Sequence, residues 1–538
     1  MYLWLPLALA SWWLAYALRD PFISDWDGFD YTVYAVQGLP SALGLGRALF
    51  CGYNHWLWKL AEHFWNWSAE QAYLLLRYGT IAQAGVATIG FYALYKELSV
   101  SRLAALIGTL LMAGSPYFLI YSGRGMSEIP AFVWLSWSLW WLARSARLGQ
   151  QNQFVLAALL LGASANLREF ALFYFPLIVL AGRWQRISWL RCLSALGLAG
   201  VAALAGMIFW VLYDTDNYLR AVTNWYTLST LERTVHPVTA RNLWFIAKYA
   251  FDCSCVAALT GILGLAGLWA GKKHCVLLGL GLCGLGADLL LLLNHDLPVN
   301  PRYLLTGLPG LAAASGWLLA ELIRTQWWRA VPLLLGLLVL TKGTYNRMAK
   351  ELYDQQWGAR AAQSYIQKII DLPWHAAFIV GARTPLIQFY NGVGARPHWA
   401  AIAPGAPWPD EKLSARIDDF ILAGRSVYVD FDPELWQKGM RTLSREGEGL
   451  ARIRRDYEVE LVREQLYRIV RRRTAEQLLA QNMLGTFFNT GRVRPQSNVK
   501  DQKQCEVGEQ VSERVRPRRV FSSSDKPSGY SPKNITGD

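Results

Sequence analysis

The chain has 538 residues, 53% of them hydrophobic and 13% aromatic, with 26 tryptophans and only 17% charged side chains. Soluble chains carry about 25% charged residues, and the deficit is uneven: residues 1–345 hold 39 Lys, Arg, Asp and Glu, against 53 in residues 346–538. Two solvents follow, a bilayer for the first part and water for the second, which excludes an ordinary cytosolic enzyme, a secreted disulfide scaffold and a disordered protein.

Apolar runs long enough to cross a bilayer fall at about 3–18, 72–95, 103–121, 129–143, 154–167, 170–182, 192–213, 246–270, 275–293, 303–322 and 330–345. The first lacks a basic leader and its small-residue site comes too early, so it reads as a span rather than a cleaved signal. The fifth and sixth are short and joined by Asn166-Leu167-Arg168-Glu169, which fits a broken or re-entrant pair. With the N-terminus inside, Lys96, Arg102, Arg144, Arg147, Arg183, Arg186, Arg191, Lys272, Lys273, Arg324 and Arg329 all face inward, while 12 of the 16 acids of this part face outward. About eleven spans then leave everything after Asn346 outside.

The net charge of +14 invites a nucleic-acid partner. Those loop cations orient the chain, and much of the remaining excess follows Arg471, so no folded basic face with interleaved aromatics is left to hold nucleic acid. The seven cysteines lack a paired CxxC set and mostly lie in apolar runs, as buried thiols do.

Beyond the spans, Ala377–Gly381 and Ser426–Asp430 read as strands and Lys412–Ala423 as an amphipathic helix, with Tyr457–Val462 and Leu466–Ile469 as a closing hairpin. The expected architecture is a multi-pass α-helical membrane domain over 1–345 and a small extracytoplasmic α/β domain over 346–473. A polar tail without periodicity, 474–538, reads as disordered.

Candidate chemistry collects in the outward loops. Asp25-Trp26-Asp27-Gly28-Phe29-Asp30-Tyr31 gathers three carboxylates, and a helix starting near Asp27 puts Asp30, Tyr31 and Tyr34 on its face with Asp25 just before it. Crowded carboxylates at low dielectric gain proton affinity, which suits one of them to accept a hydroxyl proton; solvated loop acids around a helix cap fit the same spacing. The second loop carries Arg124 and Glu128, the latter just before Pro130 where it also suits a helix first turn. Arg168-Glu169 interrupts apolar sequence at a cost that calls for function or mutual pairing. The loop 294–303 brings His295, Asp296 and Arg302 to the same side, with Tyr303 next in the chain; Arg302 also fits snorkelling to lipid headgroups.

Arginine forks bind phosphate and a carboxylate activates a hydroxyl. No nucleotide-binding glycine loop opens a helix on the inside, so a lipid-phosphate-linked donor fits both the site and the membrane. Transport and a non-enzymatic role in a membrane complex are the competing classes. Transport is disfavoured by charges at span ends rather than mid-bilayer and by the lack of an internal repeat.

These motifs carry a resemblance. Asp25-Trp26-Asp27-Gly28-Phe29-Asp30-Tyr31, Ser127-Glu128-Ile129-Pro130-Ala131, Asn166-Leu167-Arg168 and Pro301-Arg302-Tyr303-Leu304-Leu305 stand in an order similar to that of the polytopic GT-C glycosyltransferases. More narrowly, the chain resembles bacterial family-39-like relatives of protein O-mannosyltransferases and aminoarabinose transferases. The resemblance implies an inner (plasma) membrane enzyme moving a polyprenyl-phosphate-linked sugar to a lipid, glycan or protein acceptor. It also implies a first-loop base, Asp27 or Asp25, assisted by Glu128. Asp-Trp-Asp replaces the Asp-Glu pair of many relatives, leaving both aspartates as candidates. Asp30, Arg124, Arg168, Glu169, His295, Arg302 and Tyr303 are the expected substrate-binding set, and the acidic loop is a possible seat for a divalent metal ion, although its spacing is not diagnostic of one.

Overall fold

Apolar sequence folds as helix because backbone removed from water must bond to itself. A computed structural model of the protein describes residues 4–41, 47–99, 101–216, 218–219, 222–223, 240–271, 274–294, 301–381, 383–402, 410–431, 443–474 and 476–477. Helix α1 (Trp4–Ala17) leads into the first long loop, which itself holds α2 (Trp26–Gln37) and α3 (Ala48–Trp65). Then follow α4 (Ala72–Ser99), α5 (Arg102–Ala113), α6 (Pro116–Ser122), α7 (Glu128–Arg147), α8 (Gln151–Ser164), α9 (Pro176–Trp184), α10 (Trp189–Ala203) and α11 (Ala205–Tyr213). The helical part closes with α12 (Ala240–Gly271), α13 (Cys275–Asn294) and α14 (Leu308–Ile369).

Every apolar run of the sequence coincides with a helix or a bent pair, and the bends have local causes. Between α5 and α6 the axis turns by 63° at Gly114-Ser115-Pro116. There Ser115 caps α6 by accepting the Phe118 amide, and Pro116 occupies its first turn. A 3-10 turn at Glu169–Tyr174 separates α8 from α9, so the fifth and sixth runs are interrupted as their sequence implies. The last two runs share α14, whose helical geometry breaks at Gln326 (φ −146°, ψ 55°).

By length and composition, one helix among the described residues is long and apolar enough to cross a membrane, Cys253–Gly271. Two bent pairs, α5 with α6 and α10 with α11, pass when each is taken together. Several other helices, such as α1, α8 and α9, are apolar but shorter than a span, and Cys275–Leu290 is a shorter apolar stretch of α13, so the count of eleven does not follow from that criterion.

After α14 comes a five-stranded sheet in the order β2-β1-β3-β5-β4, built from β1 (Ala377–Ile379), β2 (Ala400–Ile402), β3 (Val427–Asp430), β4 (Tyr457–Arg463) and β5 (Leu466–Arg472). β1 runs parallel to β2 and β3, while β5 runs antiparallel to β3. Helices α15 (Thr384–Gly392), α16 (Asp410–Leu422) and α17 (Leu443–Asp456) accompany it. β1 and β3 are buried throughout, as expected of central strands covered on both faces. The tail expected to be disordered lies almost wholly outside the described residues, as do His295 and Asp296.

The chain divides into two units, Met1–Arg471 and Arg472–Asp538. The first unit has two large cores, one among the helices and one around the sheet. Helix α2 serves both. Tyr31 and Ala35 lie in the helical core, whereas Phe29, with Phe22 and Ile23 just ahead of the helix, lies in the sheet core. There the Phe29 ring is 5.4 Å from that of Phe389 in α15, and Gln37 Nε2 donates to the Gly392 carbonyl at 3.0 Å.

Candidate functional site

The segment that starts α2 is fixed from both sides. Asp25 is the N-cap, its carboxylate accepting the Asp27 amide at 3.1 Å, and Gly38 in the left-handed region (φ 72°) ends the helix. The helix begins at Trp26, near Asp27 as its spacing suggests, and Asp25 just before it is the cap. The loop after α1 and the loop after α6 are bonded to each other, the Asp20 amide donating to the Gly123 carbonyl at 3.1 Å.

Into this frame the 3-10 turn Pro301–Thr306 brings Arg302. Its Nη2 lies 2.8 Å from Asp27 Oδ2 and its Nη1 3.3 Å from Asp25 Oδ2, so one guanidinium bridges both aspartates. Nε is 3.9 Å from Glu128 Oε1. Behind it, Arg168 Nη2 stands 3.2 Å from the same Glu128 oxygen, and Nη1 donates to Ser127 Oγ at 3.2 Å and Tyr31 Oη at 3.4 Å. The guanidinium carbons of Arg168 and Arg302 lie 5.8 and 5.7 Å from the Tyr303 ring centre, in cation–π range. Arg47, at the start of α3, donates to the Tyr31 hydroxyl and pairs with Glu169 at 3.3 Å.

Burial is graded across the cluster. The side chains of Glu128 and Arg168 are 2% and 4% exposed, whereas those of Asp25 and Asp27 are 25% and 26% exposed. The two aspartates form the mouth and the Glu128–Arg168 pair the floor. Glu128 makes no hydrogen bond through either carboxylate oxygen, so charge alone holds it between the arginines.

The two mouth aspartates are driven apart. Burial raises Asp25, as does the neighbouring Asp27, and Arg302 only partly opposes them. Burial pushes Asp27 up as well, but Arg302, Arg47 and Arg168 together hold it below the ordinary carboxylate value. Asp30, one turn on, is raised to about 6 by burial and then by Asp27, against Arg47.

Eight candidate residues thus take part in one neighbourhood: Asp25, Asp27, Asp30, Glu128, Arg168, Glu169, Arg302 and Tyr303. Arg168 and Glu169 do not pair with each other, because each finds an opposite charge on another segment. Arg302 points into the acids rather than snorkelling to the surface. Arg124 stands apart from the arginine pair: its Nε is 3.6 Å from Asp20 Oδ2, and the two line a recess together with Ser24, Asp25 and Arg77. Among the described residues no three His, Cys, Asp or Glu side chains converge to hold a metal ion. Arg302 takes up one oxygen of each of Asp25 and Asp27.

Sequence reasoning missed Arg47, Ser127 and Asp20. Ser127 adjoins Glu128 and Asp20 follows the first span, so position offered a hint for both. Nothing marked Arg47, whose partner Glu169 lies 122 residues away.

No protein-family model and no curated protein matches the chain. Among solved structures, ArnT from Cupriavidus metallidurans bound to undecaprenyl phosphate aligns with a TM-score of 0.51 at 11% identity, over 87% of this chain and 97% of that one. The oligosaccharyltransferase of Archaeoglobus fulgidus in its apo form aligns at 0.50 and 13% identity, over 85% and 73%. The chain has a GT-C-like fold. At such identities the likeness speaks for the fold alone. Within this GT-C-like fold the acid–arginine cluster is assembled from the first and second long loops, the break between α8 and α9, and the turn before α14.

Proposed function

We propose that the chain is a membrane glycosyltransferase that moves a sugar from a polyprenyl-phosphate donor to an acceptor hydroxyl on the extracytoplasmic face. One observation carries the reading: Arg302 bridges Asp25 and Asp27 at the mouth of a buried arginine–glutamate pair. Guanidinium forks bind phosphate and carboxylate oxygens, and the phosphodiester of a donor entering the mouth competes with the aspartates for Arg302, with Arg168 behind it. That exchange releases Asp27 from the charge that holds its pKa down, and its basicity rises as the substrate arrives.

The acceptor oxygen then attacks the anomeric carbon while its proton passes to Asp27. The bond from the anomeric carbon to the phosphate oxygen breaks, and the electron pair leaves with the lipid phosphate, which Arg302 and Arg168 stabilise. Attack opposite the leaving group inverts the anomeric centre. Asp25 keeps the helix start in place and is the alternative base. Undecaprenyl phosphate bound to the ArnT of similar fold supports a polyprenyl phosphate here. About eleven spans within residues 1–345 of a plasma-membrane protein, with the sheet domain of 346–473 outside, fit the loop charges.

Binding of undecaprenyl phosphate to the purified protein is the test. Arg302→Ala and Arg168→Ala should each weaken it by about tenfold or more while the protein stays folded. Unchanged affinity in both variants would remove the arginines from the site, and failure of the wild-type protein to bind undecaprenyl phosphate would remove the donor class.

A further inference from the structure

Arg302 is aimed by a short turn, and that turn is anchored from below. Asp288 sits two-thirds along α13, in the apolar stretch Gly284-Leu285-Gly286-Ala287-Asp288-Leu289-Leu290, and is 7% exposed. A carboxylate within an apolar helix of a membrane domain is costly and marks function by default. Here its Oδ1 accepts the amide of Gly307 at 2.8 Å. Gly307 is the N-cap of α14 and directly follows the Pro301–Thr306 turn that carries Arg302 and Tyr303. An acceptor oxygen at that position takes one of the amides that the start of the long α14 helix otherwise leaves unpaired.

The contact is built for closeness. A Cβ on Gly307 would stand 2.1 Å from Asp288 Oδ2, and a Cβ on Gly284 would stand 2.7 Å from the Gly307 carbonyl oxygen. Two further buried hydroxyls hold the same stretch: Tyr174 donates to the Thr306 carbonyl, and Tyr95 donates to the Pro309 carbonyl at 2.8 Å. The tyrosines, however, hold carbonyls, and only Asp288 secures the amide at the junction between turn and helix. Among the described residues no hydrogen bond or ion pair joins Asp288 to the acids and arginines of the site; its route to the chemistry is the backbone from Gly307 to Arg302.

We propose that Asp288 is a positioning residue that, by holding the Gly307 amide, sets the turn so that the Arg302 guanidinium meets the donor phosphate at the Asp25–Asp27 mouth. The proposal rests on the reading of Arg302 as a donor-phosphate ligand.

The experiment is a double-mutant cycle read by binding of undecaprenyl phosphate to the full-length protein in detergent or nanodiscs. Asp288→Leu leaves the Gly307 amide without its acceptor and should weaken binding by about tenfold. Asp288→Asn keeps an acceptor oxygen and should restore most of it. In an Arg302→Ala background, Asp288→Leu should produce no further loss, because the residue whose aim it sets is gone. A structural role alone would give the same additional loss in both backgrounds, and that result overturns the proposal. Should Asp288→Leu not fold, Asp288→Glu serves, since it keeps the carboxyl group but moves the oxygens by one methylene. Wild-type affinity in Asp288→Glu, with Arg302→Ala impaired, would likewise overturn it. If Arg302→Ala itself binds normally, the donor-phosphate reading fails independently of Asp288.

Discussion

Asp25 and Asp27 are the same side chain two positions apart, yet one guanidinium sorts them. Arg302 stands closer to Asp27, which also feels Arg47 and Arg168, and the pair splits into a raised and a lowered carboxylate. The consequence is tested by isosteric replacement. Asp27→Asn keeps the size and the neighbouring Asp25 cap but cannot take a proton, so transfer should fall at least about a hundredfold, within the 10²–10⁴ range of a general base, with donor binding little changed. Asp25→Asn retains an oxygen for the Asp27 amide and should be milder. Transfer rates for the two variants decide between them: near-wild-type Asp27→Asn beside a dead Asp25→Asn moves the base to Asp25. Asp30 supplies a pH prediction. Its folded pKa, about 6, lies above the unfolded value near 3.8, so the native state binds more protons between these values and stability falls as pH rises through that window. Thermal midpoints of Asp30→Asn should show a smaller loss from pH 4 to pH 6 than wild type. The difference should be modest, because Asp30 lies at the solvent edge of the cluster, where its neighbours desolvate it only in part and water still screens its charge.

Helices approach closely where both supply small residues. On α5 and α14, Ala104 and Gly108 face Ala312 and Gly316, each pair four residues apart, as in small-residue packing of membrane helices. A Cβ on Gly316 would stand 2.4 Å from the Ala104 carbonyl oxygen and 2.7 Å from the Gly108 amide nitrogen, both backbone atoms that cannot swing away. Gly316→Ala should therefore cost about 1–3 kcal/mol of stability, read as a lowered unfolding midpoint, without touching the site directly. Elements were legible in the sequence wherever they were long or strongly patterned. Helix α2 followed from Asp25 and the spacing after it, and β1, β3 and the hairpin from apolar runs bounded by turns. Three-residue β2 is too short to show alternation, and the bend after α10 falls at Leu204, a residue with no breaker chemistry. The site was legible as a set of charged loops between apolar runs, because charge beside apolar sequence is conspicuous. Its pairing was not: Arg168 neighbours Glu169 in the chain, yet finds Glu128 in space.

Helix α2 ties the two cores together, and with them the chemistry to the sheet. Phe22 and Phe29, flanking Asp25 and Asp27, pack on Phe389, which is 1% exposed. Phe389→Ala should cost about 3–5 kcal/mol as a cavity opens beneath the loop, and transfer should fall although Phe389 touches no charged residue of the site. Activity and thermal midpoint measured on the same preparation check this; an unaltered rate would separate the sheet from the catalytic loop. At the scale of the membrane, loop charges predict that a reporter fused after Asp432 lies outside and one at Lys273 inside. Both on one side would undo the span assignment.

The central claim is that a lipid phosphate, held by Arg302 and Arg168, departs from the anomeric carbon as the sugar moves to a hydroxyl. The most direct measurement supplies the full-length protein in proteoliposomes with isotopically labelled polyprenyl-phosphate sugars and acceptor extracts. It then follows free polyprenyl phosphate, glycosylated acceptor and the anomeric configuration of the product together. The account predicts one lipid phosphate released per sugar transferred, an inverted anomeric centre, and loss of both signals in Arg302→Ala. Transfer with retained configuration, or no release of lipid phosphate with any polyprenyl-linked sugar, would contradict it.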